Sequence, residues 1–384
     1  MAHNHLPHSG HPLLKGLDDP APASTNLPKD RDRATDSRAP GLPASTSRRA
    51  VLALLCLGFL VPIAAWLSLA LGAVSLPGGE VAECVLGKCP SPTLETILWK
   101  IRIPRTLAVL LGGAALAVSG VLLQALFRNP LAGPGVLGIS GGASLTVALF
   151  VLGGVSLGLP AREQTWGLVA VAFAGAMLVT GFLLALSQIV RSITGLLIVG
   201  LMLGFLLSSV TGILGVLADA ARLQVFYVWT MGSFAPVVWS QVHILAVVVP
   251  AAVAAALLTS KALDALLMGE EYAQTMGIHY RRSRWTVIGL SSLLAATVVA
   301  FAGPVAFVGT VSPILARLVI RSGVHRIAVV ASALVGALLT LAADVVARVA
   351  LRPVELPTGS ITAIIGVPVV LAILIGRSGR GPWT

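Results

Sequence analysis

The sequence has few charged residues, few aromatic residues and little cysteine. Of its 384 residues only 11% are Asp, Glu, Lys or Arg and 5% are aromatic, whereas 56% are hydrophobic. A soluble globule of this length would need more polar side chains to cover its surface, but a lipid bilayer would not. The mean hydropathy of +0.93 therefore predicts an all-α polytopic membrane protein.

Motifs of enzyme chemistry are also scarce. The sequence has no G-x-x-x-x-G-K-[ST] phosphate-binding motif, so the chain is not expected to hydrolyse ATP by itself. Gly133–Gly138 fits G-x-G-x-x-G and Gly138–Gly142 fits G-x-S-x-G, but neither follows a β-strand. We predict that the chain is not an enzyme, binds no metal, cofactor or nucleic acid, and obtains any ATP-derived energy from a partner.

The uncharged stretches set the number of membrane crossings, because a bilayer core needs about 20 apolar residues per helix. They predict ten helices within a membrane domain of residues 50–384, several of them short or broken by Pro and Gly. The predicted crossings come from the stretches Ala50–Val74, Thr106–Phe127, Asn129–Ala161, Gln164–Val190, Ser192–Ala218, Leu223–Ser260, Trp285–Ala316 (two crossings), Ile327–Arg348 and Ile361–Gly376.

The first 49 residues form a separate region rich in Pro, Ser, His and charge. Nothing in it could offset the entropy of ordering, so it is predicted to be a disordered tail. Its four histidines could bind a metal ion, or they could simply be part of a solvated tail. Placing the N-terminus in the cytoplasm puts most of the 26 basic residues on that side, and ten crossings return the C-terminus there.

The span Thr106–Phe127 has charged or broken segments at both of its ends. Arg102 and Arg105 precede it, and the turn at Asn129-Pro130 follows it. Cations at one mouth of a span and a Pro-broken polar turn at the other are the layout of a translocation subunit.

A predicted loop between spans, residues 262–283, has an amphipathic pattern. Apolar residues recur near helical spacing between Asp264, Glu270 and Glu271, and Gly277 offers a helix stop. The residues alone leave two roles open for this segment: it contacts an ATPase partner, or it lies on the lipid headgroups.

Cys84 and Cys89 lie in a loop that the orientation places outside the cell. Five residues of chain can close a small ring, so this pair is either a disulfide or two free thiols.

Six ordered segments together resemble the FecCD-type permeases, the membrane subunits of ABC importers for iron-siderophores, haem and cobalamin. The segments are Arg102–Ala108, Gly112–Ala143, Trp229–Phe234, Met268–Gly277, Ala302–Gly309 and Glu355–Ala363. One position departs from the family: Ile314 stands where members commonly have His after Pro, which puts any role of that His in doubt.

The resemblance implies a set of partners. Family members pair with a second permease subunit, identical or different, and bind two ATP-binding subunits inside and one substrate-binding protein outside the bacterial cytoplasmic (inner) membrane. It also favours the ATPase contact over the lipid contact for the amphipathic loop. The residues that match the family's coupling helices are Leu267, Gly269, Glu270, Ala273, Met276 and Gly277.

The resemblance further implies docking and gating residues. Arginines matching Arg102, Arg105 and Arg348 receive acidic residues of the binding protein in a cobalamin-transporting member; alternatively Arg348 pairs with Asp344 one turn earlier. The family's inner gate matches Ile193 and Thr194, where a plain helix-joining turn is the alternative.

The cargo predicted from the family is an iron-siderophore, with cobalamin and haem open. A reading from another class is a secondary transporter driven by an ion gradient, because the intramembrane acid Asp344 is the kind of group that a proton or sodium relay needs.

Overall fold

The computed structural model describes residues 44–376 apart from 73, 156–159, 191 and 269. Most of the predicted tail, residues 1–43, lies outside the described residues, and the first helix begins six residues before the predicted boundary at Ala50. The helices are α1 Ala44–Ala70, α2 Gly78–Val85, α3 Pro92–Thr96, α4 Ile103–Phe127, α5 Ile139–Val151, α6 Ala161–Leu186, α7 Ile193–Leu217, α8 Ala220–Thr230, α9 Trp239–Leu258, α10 Ser260–Met268, α11 Glu270–Thr275, α12 Tyr280–Ala302, α13 Val308–Ile320, α14 His325–Val349 and α15 Thr358–Gly376.

Ten of these helices lie where the crossings are predicted. Among the described residues seven are long and apolar enough to cross a membrane, namely α1, α4 with the segment before it, α6, α7, α9, α12 and α14. Three shorter apolar helices, α5, α13 and α15, complete the set. The predicted all-α polytopic fold with several short helices is confirmed.

Helix α4 is the centre of the bundle. It is buried over most of its length, as is α12, whereas α1 and α7 leave most of their apolar residues exposed. A π-helical segment, Ile97–Arg102, joins α3 to α4, and Pro104 occupies the first turn of α4, where a missing N–H costs nothing. At its other end Arg128 takes a left-handed conformation with φ of 47° and stops the helix.

The two ends of the bundle are distinct. The end of α1, the start of α4 and the end of α14 meet at what we call the arginine end, through contacts of Arg102 and Arg348. Helix α10 lies at the opposite end of α4 and α14, the loop end. Ala50 of α1 packs near α10's end of the bundle, against Ile320 and Ala328.

Candidate functional sites at the two ends of the bundle

Three arginines and two acids meet at the arginine end, and we call them the arginine cluster: Arg102, Arg105, Asp344, Arg348 and Glu355. The Asp344 carboxylate is fully buried between two guanidinium groups. Arg105 Nε lies 3.0 Å from its Oδ1, and Arg348 Nε lies 3.0 Å from its Oδ2. A buried charge is stable only when it is paired and hydrogen-bonded. Both oxygens of Asp344 are ion-paired, and Oδ1 is also hydrogen-bonded.

A hydroxyl and a second carboxylate complete the cluster. Thr358, the first residue of α15, donates its Oγ1 hydrogen to Asp344 Oδ1 at 3.1 Å. Glu355, on the connection between α14 and α15, accepts from Arg105 Nη1 at 2.7 Å. Its side chain is 37% exposed, against 5% for that of Arg105. Glu355 is therefore the cluster's outward-facing carboxylate.

Arg102 and Arg348 also satisfy backbone carbonyls at the end of α1. The last carbonyls of a helix have no partner within it, and they attract cations. Arg348 donates to the carbonyls of Ser68 and Leu71, both at 3.0 Å, and Arg102 donates to those of Leu69, Ala70 and Val74. Arg348 further donates to the Ser68 hydroxyl at 2.7 Å. The two arginines thereby join α1 to α4 and α14.

The three predicted docking arginines thus lie together but inside the protein. Each is less than a tenth exposed and has internal acceptors. The Asp344–Arg348 ion pair, which the sequence offered as the alternative to a docking role for Arg348, is present. Docking of a partner through these arginines stays a prediction, and it now requires an incoming carboxylate to compete with acceptors already in place. Sequence reasoning had not assigned Glu355 a role, although it opens one of the six family-like segments.

Three of those segments meet at one junction near this end. The Ser233 N–H donates to the Ala302 carbonyl at 2.7 Å, and the Gly359 N–H donates to the Gly232 carbonyl at 2.9 Å. Gly232 and Gly303 have φ near +70°, and a methyl group on either would strike a main-chain carbonyl. The turns after α8 and α12 and the start of α15 therefore fit together only with glycine at these positions.

At the loop end the described residues of the predicted amphipathic segment are helical, in α10 and α11. Leu263 and Leu266 of α10 are fully buried, and Ala273 of α11 is buried as well. Met276 is 57% exposed, and Gly277, with φ of +73°, ends the helical segment as predicted. The other predicted coupling residues are Leu267, partly buried in α10, Glu270, which opens α11, and Gly269, which lies outside the described residues.

Two polar contacts attach α10 to the bundle. Asp264 Oδ1 lies 2.6 Å from His325 Nδ1 and accepts from the His325 backbone N–H at 3.1 Å. Arg128 Nε donates to the Leu266 carbonyl at 3.1 Å. Burial alone would raise the pKa of the Asp264 carboxyl, but the hydrogen bonds from His325 outweigh it and hold that pKa below its ordinary value. The carboxylate therefore stays ionised at neutral pH, and its stabilising contribution is lost only as the pH falls through the lowered pKa.

The predicted gate and pathway residues lie at the same end. Asn129 and Pro130 follow α4 directly, next to Arg128. Ile193 and Thr194 open α7. Val190, three residues before Ile193, lies against α12, because Arg284 donates to its carbonyl at 3.0 Å. Thr194 is exposed, and Ile193 is half-buried. Their gating role stays a prediction.

A cavity of about 490 Å³ lies between α5, α7 and α8. Glycines and hydroxyl-bearing side chains make up much of its wall, with the aromatic rings of Phe205, Phe226 and Tyr227, and none of the described residues that line it is charged. Its polar members are Ser140, Ser144, Ser208, Thr211, Tyr227 and Thr230. Such a wall can contact a bulky solute without binding it tightly.

Two further predicted features have definite places. Cys84 of α2 and Cys89 in the following loop form a disulfide in the structure. Ile314, where the family commonly has His, is buried within α13.

Comparisons with known proteins agree with this arrangement. The FecCD transport family matches residues 60–376. The vitamin B12 import system permease protein BtuC of Vibrio cholerae is 39% identical over 282 residues, 73% of this chain and 83% of that protein. The BtuC protein of an Escherichia coli strain is 36% identical over 339 residues, 88% of this chain and 99% of that protein.

A solved structure resembles the fold. It is an inward-facing conformation of an ABC transporter assigned to the metal-chelate type, with a TM-score of 0.74 and 30% sequence identity, and the match covers 84% of this chain and 98% of that one.

The fold and its two polar ends define a multi-pass membrane permease. The chain belongs to the FecCD transport family, which confirms the resemblance seen in the sequence, and it is the permease subunit of an ABC importer.

Proposed function

We propose that this chain forms the membrane pathway of a binding-protein-dependent importer of large metal chelates in the bacterial cytoplasmic membrane, with both termini inside. One observation carries the proposal: the helix pair α4 and α14 joins a cationic cluster at one end to an amphipathic helix at the other. These are the two contact surfaces that an importer needs for a binding protein and for an ATPase.

A corrinoid of the vitamin B12 type is the cargo best supported. The curated relatives at 36–39% identity are named for vitamin B12 import, and two of them match most of their own length. An iron-siderophore, the cargo predicted from the sequence, is the second candidate, and the likeness to a metal-chelate type transporter favours that broader class.

The loop end is proposed to receive one of the two ATP-binding subunits, and the same end of a second permease subunit is proposed to receive the other. Met276 and Tyr272 are apolar or aromatic side chains more than half exposed there, whereas Ala273 is buried against the bundle. Exposed apolar side chains of this kind mark an interaction site, and membership of the FecCD transport family favours the ATP-binding subunit over lipid headgroups as the partner. ATP-driven closure of the partner subunits would then move α10 and α11 and shift the population between inward- and outward-open states.

The secondary-transporter alternative fits the structure less well. An ion relay needs an acid that an incoming ion can reach, but Asp344 is fully buried and engaged by Arg105, Arg348 and Thr358. The geometry favours a structural role for this carboxylate.

The cargo proposal is tested by uptake into cells that lack their own corrinoid and siderophore importers and express this permease with its partner subunits. Labelled cyanocobalamin should accumulate, and an excess of unlabelled cobinamide, which shares the corrin ring, should reduce its uptake. Accumulation of a labelled ferric siderophore with no uptake of cyanocobalamin would contradict the corrinoid assignment and support the second candidate.

The docking proposal is tested at Glu355, because charge reversal of the buried arginines would also disrupt the fold. If a carboxylate of the binding protein pairs with Arg105, then Glu355 competes with it, and Glu355→Gln should strengthen capture of the binding protein. The expected gain is up to about fivefold, the effect of an exposed ion pair of about 1 kcal/mol, and it should shrink at high salt.

Glu95 provides the matched control for docking. It is an exposed acid of α3 on the segment leading to Arg102, so Glu95→Gln removes the same charge without uncovering Arg105. Equal effects of the two substitutions on capture would contradict docking at Arg105 and indicate a general charge effect.

A further inference from the structure

Helix α10 supplies the N-terminal cap of α14. The N-cap residue of α14, Val324, provides no side-chain acceptor, and the first N–H groups of a helix have no partner within it. Asp264 of α10 fills this role, since its Oδ1 accepts from the first residue of α14, His325, through both backbone and ring. A carboxylate at a helix N-terminus is also favoured by the helix dipole.

The same helix holds the end of α4. Two residues beyond Asp264, the Leu266 carbonyl accepts from Arg128, the residue that stops α4. The Leu266 side chain is 1% exposed and that of Leu263 is fully buried, so α10 is packed against the bundle as well as hydrogen-bonded to it. A movement of α10 would therefore act on α4 and α14 together.

Helices α4 and α14 are themselves locked face to face. A methyl group on Gly113 would collide with the Gly336 carbonyl, and one on Gly336 would collide with the Gly113 carbonyl. Two backbones this close cannot slide or rotate independently without a clash. The pair should move as one body.

The arginine cluster lies at the end of the α4–α14 pair that is opposite α10. Each helix has 25 residues, or about 37 Å at 1.5 Å per residue. Arg105 lies in the first turn of α4 and Asp344 lies near the end of α14, with 3.0 Å between Nε and Oδ1. The pair thus begins at α10 and ends at the proposed docking site.

We propose that the Asp264–His325 and Arg128–Leu266 hydrogen bonds form a clamp that delivers movement of α10 to the α4–α14 pair and so to the arginine cluster. The proposal rests on the proposed contact between α10–α11 and the ATP-binding subunits. His325 and Asp264 are positioning residues in it. The other assignment for the same contacts is a static helix cap that stabilises the fold and transmits nothing.

The first arm of the test uses the purified permease alone and measures hydrogen exchange of backbone amides in residues 260–268. His325→Leu should raise exchange there about two- to tenfold, the range expected for one lost hydrogen bond. Asp264→Ala removes both hydrogen bonds with His325 and should raise exchange at least as much. His325→Asn should stay near the unsubstituted protein, because the Asn amide can donate from nearly the position of Nδ1. Equal exchange in all four proteins would overturn the clamp.

The second arm adds the ATP-binding subunits and measures solute uptake per ATP hydrolysed in proteoliposomes. Asp264→Ala should lower this ratio while the ATP-binding subunits still bind, and His325→Asn should retain it. Arg326→Ala is the matched control, because Arg326 is the exposed neighbour of His325 on α14; its ratio should be unchanged.

The outcomes separate the two proposals. If the unsubstituted permease binds no ATP-binding subunit at this loop, the proposed function is overturned. If the subunits bind and Asp264→Ala leaves uptake per ATP unchanged despite faster exchange in α10, the clamp transmits nothing and this inference alone is overturned.

Discussion

Asp344→Ala should destabilise the permease by about 3–5 kcal/mol, the usual cost of removing one partner from a buried ion pair. The reason is that Arg105 and Arg348 would remain in the protein interior with their shared carboxylate gone. Chemical denaturation of the protein in detergent, followed by loss of helical signal, measures the change.

Glu355 provides the internal comparison for this prediction. It pairs with the same Arg105 but is 37% exposed, so water can replace it, and Glu355→Ala should cost about 1 kcal/mol or less. Replacing Asp344, Arg105 and Arg348 together by apolar residues should recover part of the loss, because none of these three buried charges is then left without its partner. Equal losses for Asp344→Ala and Glu355→Ala would contradict the assignment of Asp344 as the cluster's buried centre.

Gly120→Ala should also destabilise the protein, by about 1–3 kcal/mol or more, as overpacking of a tight core does. A methyl group at Gly120 would overlap the carbonyl oxygen of Gly309, which belongs to the first turn of α13. The obstacle is main chain and cannot turn aside as a side chain would, so α4 and α13 would have to separate. The same denaturation assay measures the effect.

Gly181 provides the control for Gly120, because the same substitution to alanine should change the stability of the protein in the opposite direction. It lies in the interior of α6, and a methyl group there would meet nothing within 4 Å. Gly181→Ala should therefore stabilise the protein by up to about 1 kcal/mol, because alanine is the better helix former. Destabilisation by both substitutions to the same extent would show that close packing at Gly120 is not the cause.

The crossings could be read from the sequence because lipid imposes a length on every apolar helix. The ends of α4 illustrate this: the predicted stretch Thr106–Phe127 lies within the observed helix Ile103–Phe127. The stretch Trp285–Ala316 is likewise predicted to hold two crossings, and α12 and α13 lie there.

Only some of the residue contacts in the two sites could be predicted from the sequence. Asp344 and Arg348 are four residues apart on one helix, so their pairing follows from helix geometry. The contact of Arg348 with Ser68 joins positions 280 residues apart, and that of Asp264 with His325 joins positions 61 residues apart. No local pattern specifies such contacts, because they depend on how the helices pack. Asp264 was noted only as a polar residue between apolar ones.

Reconstitution tests the central claim, that this chain is a passive pathway worked by partners bound at its two ends. Labelled cyanocobalamin should enter proteoliposomes against its gradient only when the permease, the ATP-binding subunits, the binding protein and ATP are all present. Removing the ATP-binding subunits should abolish uphill uptake. Uphill uptake driven by the purified permease alone, with an ion gradient and neither partner, would contradict the account.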